Sequence, residues 1–251
     1  MAYHEPTNFR RRDILGLMGA GALAAGLPIR ACAQTPNVAS LKLGFIGAGR
    51  EGGALGTLFA KAGHQVMFSS RHPETLTDLV GSAGPNAKAG TVEDAVAFGD
   101  VMFLVVPYTA VEQLGKDYGA AIAKKPLLVD VSNPIPRRDG EDFVKQVTDM
   151  GGAGVVTAKY FAGAKLVRAF NAIGFGKLEG DAVKSDGKIG VPIAGDDKGA
   201  IDLASALIVQ IGFVPVLVGG LAMGKYLVPG TPLAGEHSPD EIKQIATTLK
   251  S

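Results

Sequence analysis

The apolar residues are distributed along the chain in two patterns. Short apolar runs have the length of buried strands, and the stretches between them repeat their apolar residues at the 3.6-residue period of helices. The predicted strands cover residues 41–46, 65–69, 101–106, 127–131, 166–170, 189–194 and 214–218. The predicted helices cover residues 50–62, 91–98, 111–123 and 198–211. Strands alternating with helices indicate an α/β fold with a doubly wound parallel sheet, which binds ligands at the carboxyl ends of its strands.

A glycine-rich turn separates the first predicted strand from the first predicted helix. Its sequence is Gly47-Ala48-Gly49-Arg50-Glu51-Gly52, which has the spacing of the dinucleotide-binding fingerprint. Gly47 would allow the tight turn, Gly49 the close approach of a pyrophosphate, and Gly52 the packing of helix against strand. The N–H groups at the helix start would then bind the phosphates. The pattern predicts a single Rossmann domain that binds NAD(P), with a purely structural glycine turn as the alternative.

The end of the second strand indicates which cofactor is preferred. An NAD enzyme usually places Asp or Glu there to bind the ribose hydroxyls, whereas this chain has Ser69, Ser70 and Arg71. Two hydroxyls and a guanidinium can hydrogen-bond and neutralise a 2′-phosphate, so NADP is expected rather than NAD. In the alternative interpretation, Ser70 caps a helix that starts near Pro73 and Arg71 is solvated. One serine could serve both purposes.

The N-terminal segment has the layout of a secretory signal peptide. Three arginines at positions 10–12 precede an uncharged apolar stretch, residues 14–27, and residues 8–15 resemble a twin-arginine export motif. The stretch is shorter than the roughly 18 residues of a spanning helix. We expect a signal peptide over residues 1–33 that is cleaved after Ala33, a connector over residues 34–40, and a periplasmic NADP-binding domain over residues 41–251. The alternatives are lipidation at Cys32 and an uncleaved membrane anchor.

Composition narrows the possible function further. The 251 residues carry 25 Lys and Arg against 24 Asp and Glu, a net charge of +1, which becomes −1 without residues 1–33 because they hold four arginines and two acidic residues. Neither value suggests a nucleic-acid partner. The only cysteine is Cys32, so an exported protein would have no disulfide, thiol nucleophile or zinc-thiolate site. No His, Cys and carboxylate cluster has metal-ligand spacing, and His64 is expected to be structural.

Several motifs, in this order along the chain, resemble those of a known family. They are Gly47-Ala48-Gly49, the stretch from Gly63-His64 to Ser70-Arg71, Val105-Val106-Pro107, Val131-Ser132-Asn133-Pro134, Ala169-Phe170-Asn171 and residues 212–216. The chain resembles the NADPH-dependent reductases of the deazaflavin coenzyme F-420 (hereafter F420) and, as a relative, the oxidoreductase domain of STEAP-type metalloreductases. The resemblance implies that Ser70 and Arg71 bind the 2′-phosphate. It also implies that Val106, Pro107, Asn133 and Pro134 line the nicotinamide half of the cleft and that Asn171 faces the second ligand.

The positions of three of these residues support that placement independently. Pro107, Asn133 and Asn171 each closely follow an apolar strand, so they would converge at one edge of the sheet. Asparagine can both donate to and accept from a carboxamide or an isoalloxazine edge. Ordinary turn chemistry is the alternative for both asparagines. Tyr108 could cover a ring or simply pack.

Glu51 departs from the family pattern, because family members commonly have an apolar residue there. A buried carboxylate beside a pyrophosphate would be unfavourable. Arg50 and Glu51 are both candidate cofactor-binding residues of the turn. In the alternative interpretation, Glu51 turns outward and pairs with Arg50 or a later basic residue, and no catalytic role is expected for it.

These observations together predict an NADP-dependent oxidoreductase that passes a hydride between NADPH and a small-molecule acceptor, a deazaflavin (F420) or a flavin (FMN or FAD). Such a transfer depends on positioning the two ligands, so no catalytic side chain is assigned. The alternatives are a reductase of a small carbonyl or imine substrate and a non-catalytic NADP-binding or sensory module. Hydroxyacid dehydrogenases and pyrroline-carboxylate reductases usually add a helical domain of about a hundred residues, whereas 33 residues follow Val218. The expected partners are the acceptor and the twin-arginine export machinery, and the apolar helix at residues 201–209 permits a homodimer.

Overall fold

The computed structural model describes residue 38, residues 40–178 and residues 189–250. The predicted leader and most of the predicted connector lie outside these residues. Within the described ranges, no helix is long and apolar enough to cross a membrane. The same ranges contain no group of three or more His, Cys, Asp or Glu side chains that could hold a metal ion.

The described residues form eight strands, flanked by helices. The strands are β1 (Lys42–Ile46), β2 (Gln65–Ser69), β3 (Ala87–Gly90), β4 (Val101–Leu104), β5 (Leu128–Asp130), β6 (Leu166–Arg168), β7 (Gly190–Gly195) and β8 (Val214–Gly219). The α-helices are α1 (Arg50–Lys61), α2 (Thr77–Ala83), α3 (Val92–Phe98), α4 (Val111–Ile122), α5 (Pro136–Asp139), α6 (Glu141–Asp149), α7 (Ala153–Tyr160), α8 (Lys198–Gln210) and α9 (Pro239–Thr248). Residues 175–178 are also helical, and 3-10 turns cover Pro73–Leu76, Tyr108–Ala110 and Leu221–Tyr226. Every strand and helix predicted from the sequence is present, although β4 and β6 end two residues earlier than predicted.

The strands form one sheet in the order β3-β2-β1-β4-β5-β6-β7-β8. Strands β1 to β6 are parallel, which confirms the predicted doubly wound α/β fold. The last two strands depart from it, because β7 runs antiparallel to β6 and parallel to β8. The chain that leaves β6 lines the carboxyl edge of the sheet with residues 170–175. It therefore enters β7 from that same edge and runs in the opposite direction.

Helices cover both faces of the sheet. One core cluster packs α1, α2 and α8 against the sheet, with Phe45 and Phe103 stacked at 4.5 Å between ring centroids. A second cluster packs α3, α4, α6 and α7 against the other face, and a third packs α9 beneath β7 and β8. Most apolar residues of α8 lie in the chain's own core, and Val209 is the large apolar residue of this helix that is exposed. The predicted homodimer through this helix therefore has little free apolar surface on α8 and stays a prediction.

His64 has the structural role predicted for it. It lies at the turn between α1 and β2 and is 1% exposed. Its Nδ1 accepts a hydrogen bond from the Leu41 N–H at 3.1 Å, and its Nε2 lies 2.9 Å from Gln210 Oε1. Burial lowers the pKa of the imidazole, against the opposing effect of the Gln210 hydrogen bond. The neutral ring thus connects the residue before β1 to α8.

Candidate cofactor site

A cleft of about 880 Å³ opens at the carboxyl ends of the parallel strands. Its walls come from residues 49–52 at the start of α1, residues 105–107 after β4, residues 131–138 after β5 and residues 170–175 after β6. A fifth segment, residues 229–235, returns after β8 to close the far side. Ligands of doubly wound folds bind at this edge of the sheet, so the cleft is the candidate site.

The glycine turn has the geometry that the fingerprint requires. Gly47 has a φ of +107°, and a Cβ there would collide with the carbonyl oxygen of Val105. A Cβ on Gly52 would collide with the carbonyl of Gly47, so this glycine allows helix and turn to approach. A Cβ on Gly49 would meet nothing within 4 Å. Gly49 thus leaves open space beside the cleft.

The start of α1 is suited to bind an anion. Its N-cap is Gly49, which provides no side-chain cap. The Gly53 N–H donates to the Gly49 carbonyl at 2.7 Å and makes the first hydrogen bond of the helix. The N–H groups of the first turn are therefore available in the cleft, at the positive end of a 12-residue helix. Together with the space beside Gly49, this arrangement fits the pyrophosphate of a dinucleotide.

A buried ion pair, which the sequence did not predict, supports the floor of the cleft. Asp130 ends β5 and Arg168 ends β6, and the two are register partners that are both 0% exposed. Arg168 Nη1 donates to Asp130 Oδ2 at 2.5 Å, while Nη2 donates to the Ser132 carbonyl at 3.0 Å and to Asn133 Oδ1 at 3.1 Å. Asp130 Oδ1 also accepts the Ser132 N–H at 2.8 Å. The pair thereby fixes the chain after β5. A charged residue within each apolar strand was the available signal.

The structure brings Asn133 and Asn171 together, as predicted. Asn133 Nδ2 donates to the Asn171 carbonyl at 2.8 Å, and Asn171 Nδ2 donates to the Ser132 carbonyl at 3.3 Å. With Arg168 bound to its Oδ1, the Asn133 amide serves mainly to join two loops. Asn171 is 3% exposed, yet its Oδ1 has no hydrogen-bond partner among the described residues. A buried acceptor of this kind fits a ligand donor such as a carboxamide N–H.

Backbone strain occurs directly beside Asn171. Phe170 has a φ of +64° and is the non-glycine residue of the described chain with a positive φ. That conformation costs a bulky residue about 1–3 kcal/mol. The Phe170 ring is 2% exposed and packs edge-on against Phe213 at 6.4 Å between centroids. Burial of the ring offsets the strain and directs the following Asn171 into the cleft.

Glu51 does not turn outward. Its side chain lines the cleft, where the carboxyl accepts a hydrogen bond from the Phe175 N–H and Oε1 is buried without a partner. Burial raises the pKa of the Glu51 carboxyl to about 7, and the Phe175 hydrogen bond opposes that shift. Arg50 does not pair with it, because its guanidinium lies over the Phe175 ring at 5.4 Å from the centroid. Both residues at the start of α1 thus contact the loop that follows β6.

Three other predicted site residues lie away from the cleft. Tyr108 is 1% exposed, and its hydroxyl donates to the Ala153 carbonyl at 2.8 Å and lies 3.0 Å from Thr157 Oγ1. Of the two alternatives for Tyr108, the structure shows packing, because its ring is buried beneath α7 and does not line the cleft. Pro134 is buried outside the lining, and Ala48 packs against the core. Val106 and Pro107 do line the cleft, as predicted.

The predicted 2′-phosphate residues lie beyond the main cleft, at the end of β2. Ser69 is buried, and its Oγ accepts the Gly47 N–H at 3.4 Å, so it supports the glycine turn. Ser70 Oγ accepts the His72 N–H at 3.0 Å, and the Arg71 side chain is exposed. Ser70 therefore shapes the turn that presents Arg71 to solvent, rather than capping the 3-10 turn at Pro73. Their contact with a 2′-phosphate stays a prediction.

Part of the chain matches a known protein family. Residues 42–134 match the family described as "NADP oxidoreductase coenzyme F420-dependent". Over these residues the chain is similar to members of that family. The match contains the glycine turn, the end of β2 and Asn133, and it supports an oxidoreductase that uses NADP(H). No curated protein matches the chain.

Solved structures share the fold over most of the chain. A hypothetical protein from Sinorhizobium meliloti is 27% identical, with a TM-score of 0.64 over 80% of this chain and 96% of that one. A candidate F420-dependent NADP reductase from Arthrobacter sp. FB24 is 19% identical, with a TM-score of 0.64 over 74% of this chain and 88% of that one. An imine reductase from Myxococcus stipitatus in complex with NAD+ is 18% identical, with a TM-score of 0.53 over 84% of this chain and 61% of that one. The latter two likenesses show the Rossmann-like fold.

Proposed function

We propose that the protein is an NADPH-dependent reductase of a flavin-like acceptor, a deazaflavin such as F420 or a flavin such as FMN or FAD. The observation that carries the proposal is the cleft at the carboxyl edge, where the uncapped start of α1 and the unpartnered Asn171 Oδ1 meet. The family matched by residues 42–134 supports both NADP and an F420-type acceptor.

Two groups of residues would hold the dinucleotide. The first-turn N–H groups of α1 would bind the pyrophosphate, and Ser70 and Arg71 would bind the 2′-phosphate. Val106, Pro107, Asn133 and Asn171 would bound the nicotinamide half, with Asn171 Oδ1 accepting from the carboxamide. When bound, NADPH supplies a hydride.

The protein contributes to the reaction by positioning and by excluding water. The Asp130–Arg168 pair and the two asparagines connect the loops after β5 and β6 through hydrogen bonds of 2.5–3.3 Å. This network keeps the floor of the cleft rigid, which is what transfer between two stacked rings requires. No acid or base is assigned to the transfer itself.

The experiment that tests the proposal has two stages. Calorimetric titration of the purified protein with NADPH and NADH measures cofactor choice, and stopped-flow absorbance then follows NADPH oxidation after addition of F420, FMN or FAD. Selective NADPH binding with oxidation by one acceptor supports the proposal. Tight binding without oxidation by any of the three contradicts it and favours a non-catalytic or sensory module, or a small carbonyl or imine substrate.

We also propose that the protein is exported by the twin-arginine machinery to the periplasm, from the arginines and the apolar stretch of residues 10–27. That machinery transports folded proteins, which would let the chain acquire NADP before export. Fractionation of cells that express the Arg11→Lys, Arg12→Lys variant tests this proposal. The variant is expected to stay in the cytoplasm, and unchanged periplasmic recovery would contradict export by this route.

A further inference from the structure

Glu51 places a carboxyl group where the cofactor's phosphates would bind. It lies in the first turn of α1, beside the N–H groups suited to the pyrophosphate. Among the described residues that line the cleft, it is the one acidic side chain. Its Oε1 is buried and has no partner among the described residues, and the carboxyl accepts a hydrogen bond from the Phe175 N–H.

No cation neutralises this carboxyl in the described part of the chain. Two basic side chains line the same cleft, Arg50 and Arg138. Arg50 lies over the Phe175 ring, and Arg138 donates to Asp139 at 2.8 Å and to the Asn133 carbonyl at 2.6 Å. The walls at residues 105–107, 170–175 and 229–235 contribute no charged side chain. A negative charge on Glu51 is therefore without an ion-pair partner.

An ionised Glu51 and a bound pyrophosphate would compete for one helix terminus. Both are anions, and both are stabilised by the positive end of α1. Repulsion is relieved if the carboxyl becomes neutral. Its O–H can then donate to a phosphate oxygen from the Oε1 position that has no partner in the free protein.

We propose that Glu51 binds the cofactor in its protonated form, so that NADP(H) binding takes up one proton from solvent at this carboxyl. This inference rests on the proposed function, because it requires the dinucleotide to occupy the cleft. Glu51 is then a binding residue whose protonation links cofactor affinity to pH. The raised pKa of the free carboxyl, about 7, makes this protonation easily reached near neutral pH.

The test is calorimetric titration of the full chain with NADPH at pH 8.0 in two buffers of different ionisation enthalpy, Tris and HEPES. The difference in apparent binding enthalpy gives the number of protons taken up. With a free pKa of about 7, the expected uptake is about 0.9 proton per NADPH at pH 8.0, falling toward zero below about pH 6. Between pH 8 and 9, Kd is expected to rise about tenfold. The 2′-phosphate, with a second pKa of about 6, is already ionised in that range.

Glu51→Gln keeps the shape of the side chain and removes its charge. This variant is expected to take up no proton at pH 8.0, to bind NADPH about tenfold more tightly than the wild type at that pH, and to show a constant Kd between pH 7 and 9. Glu141→Gln is the matched control, because Glu141 also begins a helix, α6, but is exposed and far along the chain from the cleft residues of α1. It is expected to behave as the wild type.

The possible outcomes separate the inference from the function on which it rests. Tight NADPH binding by the wild type without proton uptake overturns the inference and leaves the proposed function standing. Uptake that persists in Glu51→Gln also overturns it, because another group must then take the proton. Failure of the wild type to bind NADPH at any pH from 6 to 9 overturns both. The wild-type measurement alone decides the first and third outcomes, whether or not a variant folds.

Discussion

Arg168→Met is expected to lower the free energy of unfolding by about 3–5 kcal/mol, since it leaves Asp130 as an unpaired buried charge. Methionine fills a similar volume and donates no hydrogen bond. Asp130, which is 0% exposed, would keep the Ser132 N–H as its partner. The Ser132 carbonyl and Asn133 Oδ1 would each lose the donor that lies 3.0–3.1 Å away.

A double-mutant cycle isolates the contribution of the ion pair. Asp130→Leu alone should cost a similar amount, since it leaves the arginine buried and unpaired. The double variant removes both charges, and its loss should come mainly from Asn133 Oδ1, which is left without a donor, and from the Ser132 N–H, which is left without an acceptor, about 1–3 kcal/mol each. We expect the double variant to be at least about 2 kcal/mol more stable than the sum of the single losses implies.

Urea denaturation followed by circular dichroism at pH 7 measures all three variants, with the m-value reporting whether the folded state stays compact. Lys145→Met is the control, because its ion pair with Asp149 is exposed, and a change within about 0.5 kcal/mol is expected. A loss below about 1 kcal/mol for Arg168→Met, or strict additivity in the cycle, would refute the reasoning.

Three further predictions concern the glycine turn, the cofactor phosphate and the buried histidine. Gly49→Ala should leave Tm unchanged and weaken NADPH binding, because its Cβ would meet only the open space beside the cleft, whereas Gly52→Ala should lower Tm through a collision with the turn; equal Tm losses would contradict this distinction. Arg71→Ala should weaken NADPH binding by about 1–3 kcal/mol and barely change NADH binding, by calorimetry; equal losses for both cofactors would refute the 2′-phosphate role. His64 has a lowered pKa in the folded state, so the unfolded chain binds the proton first and stability is lost as pH falls below about 6.5. Urea midpoints at pH 7.5 and 5.5 should differ more for the wild type than for His64→Gln, and an equal pH dependence would exclude His64 as the source.

The sequence predicted those features that have a local cause. The apolar runs of β1 and β4 and the glycines at 47 and 52 produced a correct sheet core and turn. Strand β3 was missed because its sequence, Ala87-Lys88-Ala89-Gly90, has no apolar or β-branched pattern, and its position depends on pairing with β2. Helix α9 was missed although Ser238 and Glu241 form a capping box, which was a usable signal.

The errors at the site arose from contacts between distant segments. The direction of Glu51 depends on the Phe175 N–H, far along the chain, and the position of Tyr108 depends on α7. The pairing of Asp130 with Arg168 requires that β5 and β6 be neighbours in register. No periodicity or short motif indicates the partners of these residues, although the charges of Asp130 and Arg168 within apolar strands were a signal that each needs a partner.

The reversal of β7 and β8 divides the cleft between two parts of the chain. The segments that follow β1, β4, β5 and β6 line the cleft, and the far wall comes from residues 229–235, which lie outside the family match. That wall consists of small or cyclic residues, Pro229, Gly230, Ala234 and Gly235, so it limits the cleft by its backbone more than by its side chains. Gly230 and Gly235 have positive φ and resist replacement, whereas Ala234 carries no such constraint. Ala234 is thus the position of this wall where the backbone conformation permits a larger side chain that would narrow the cleft.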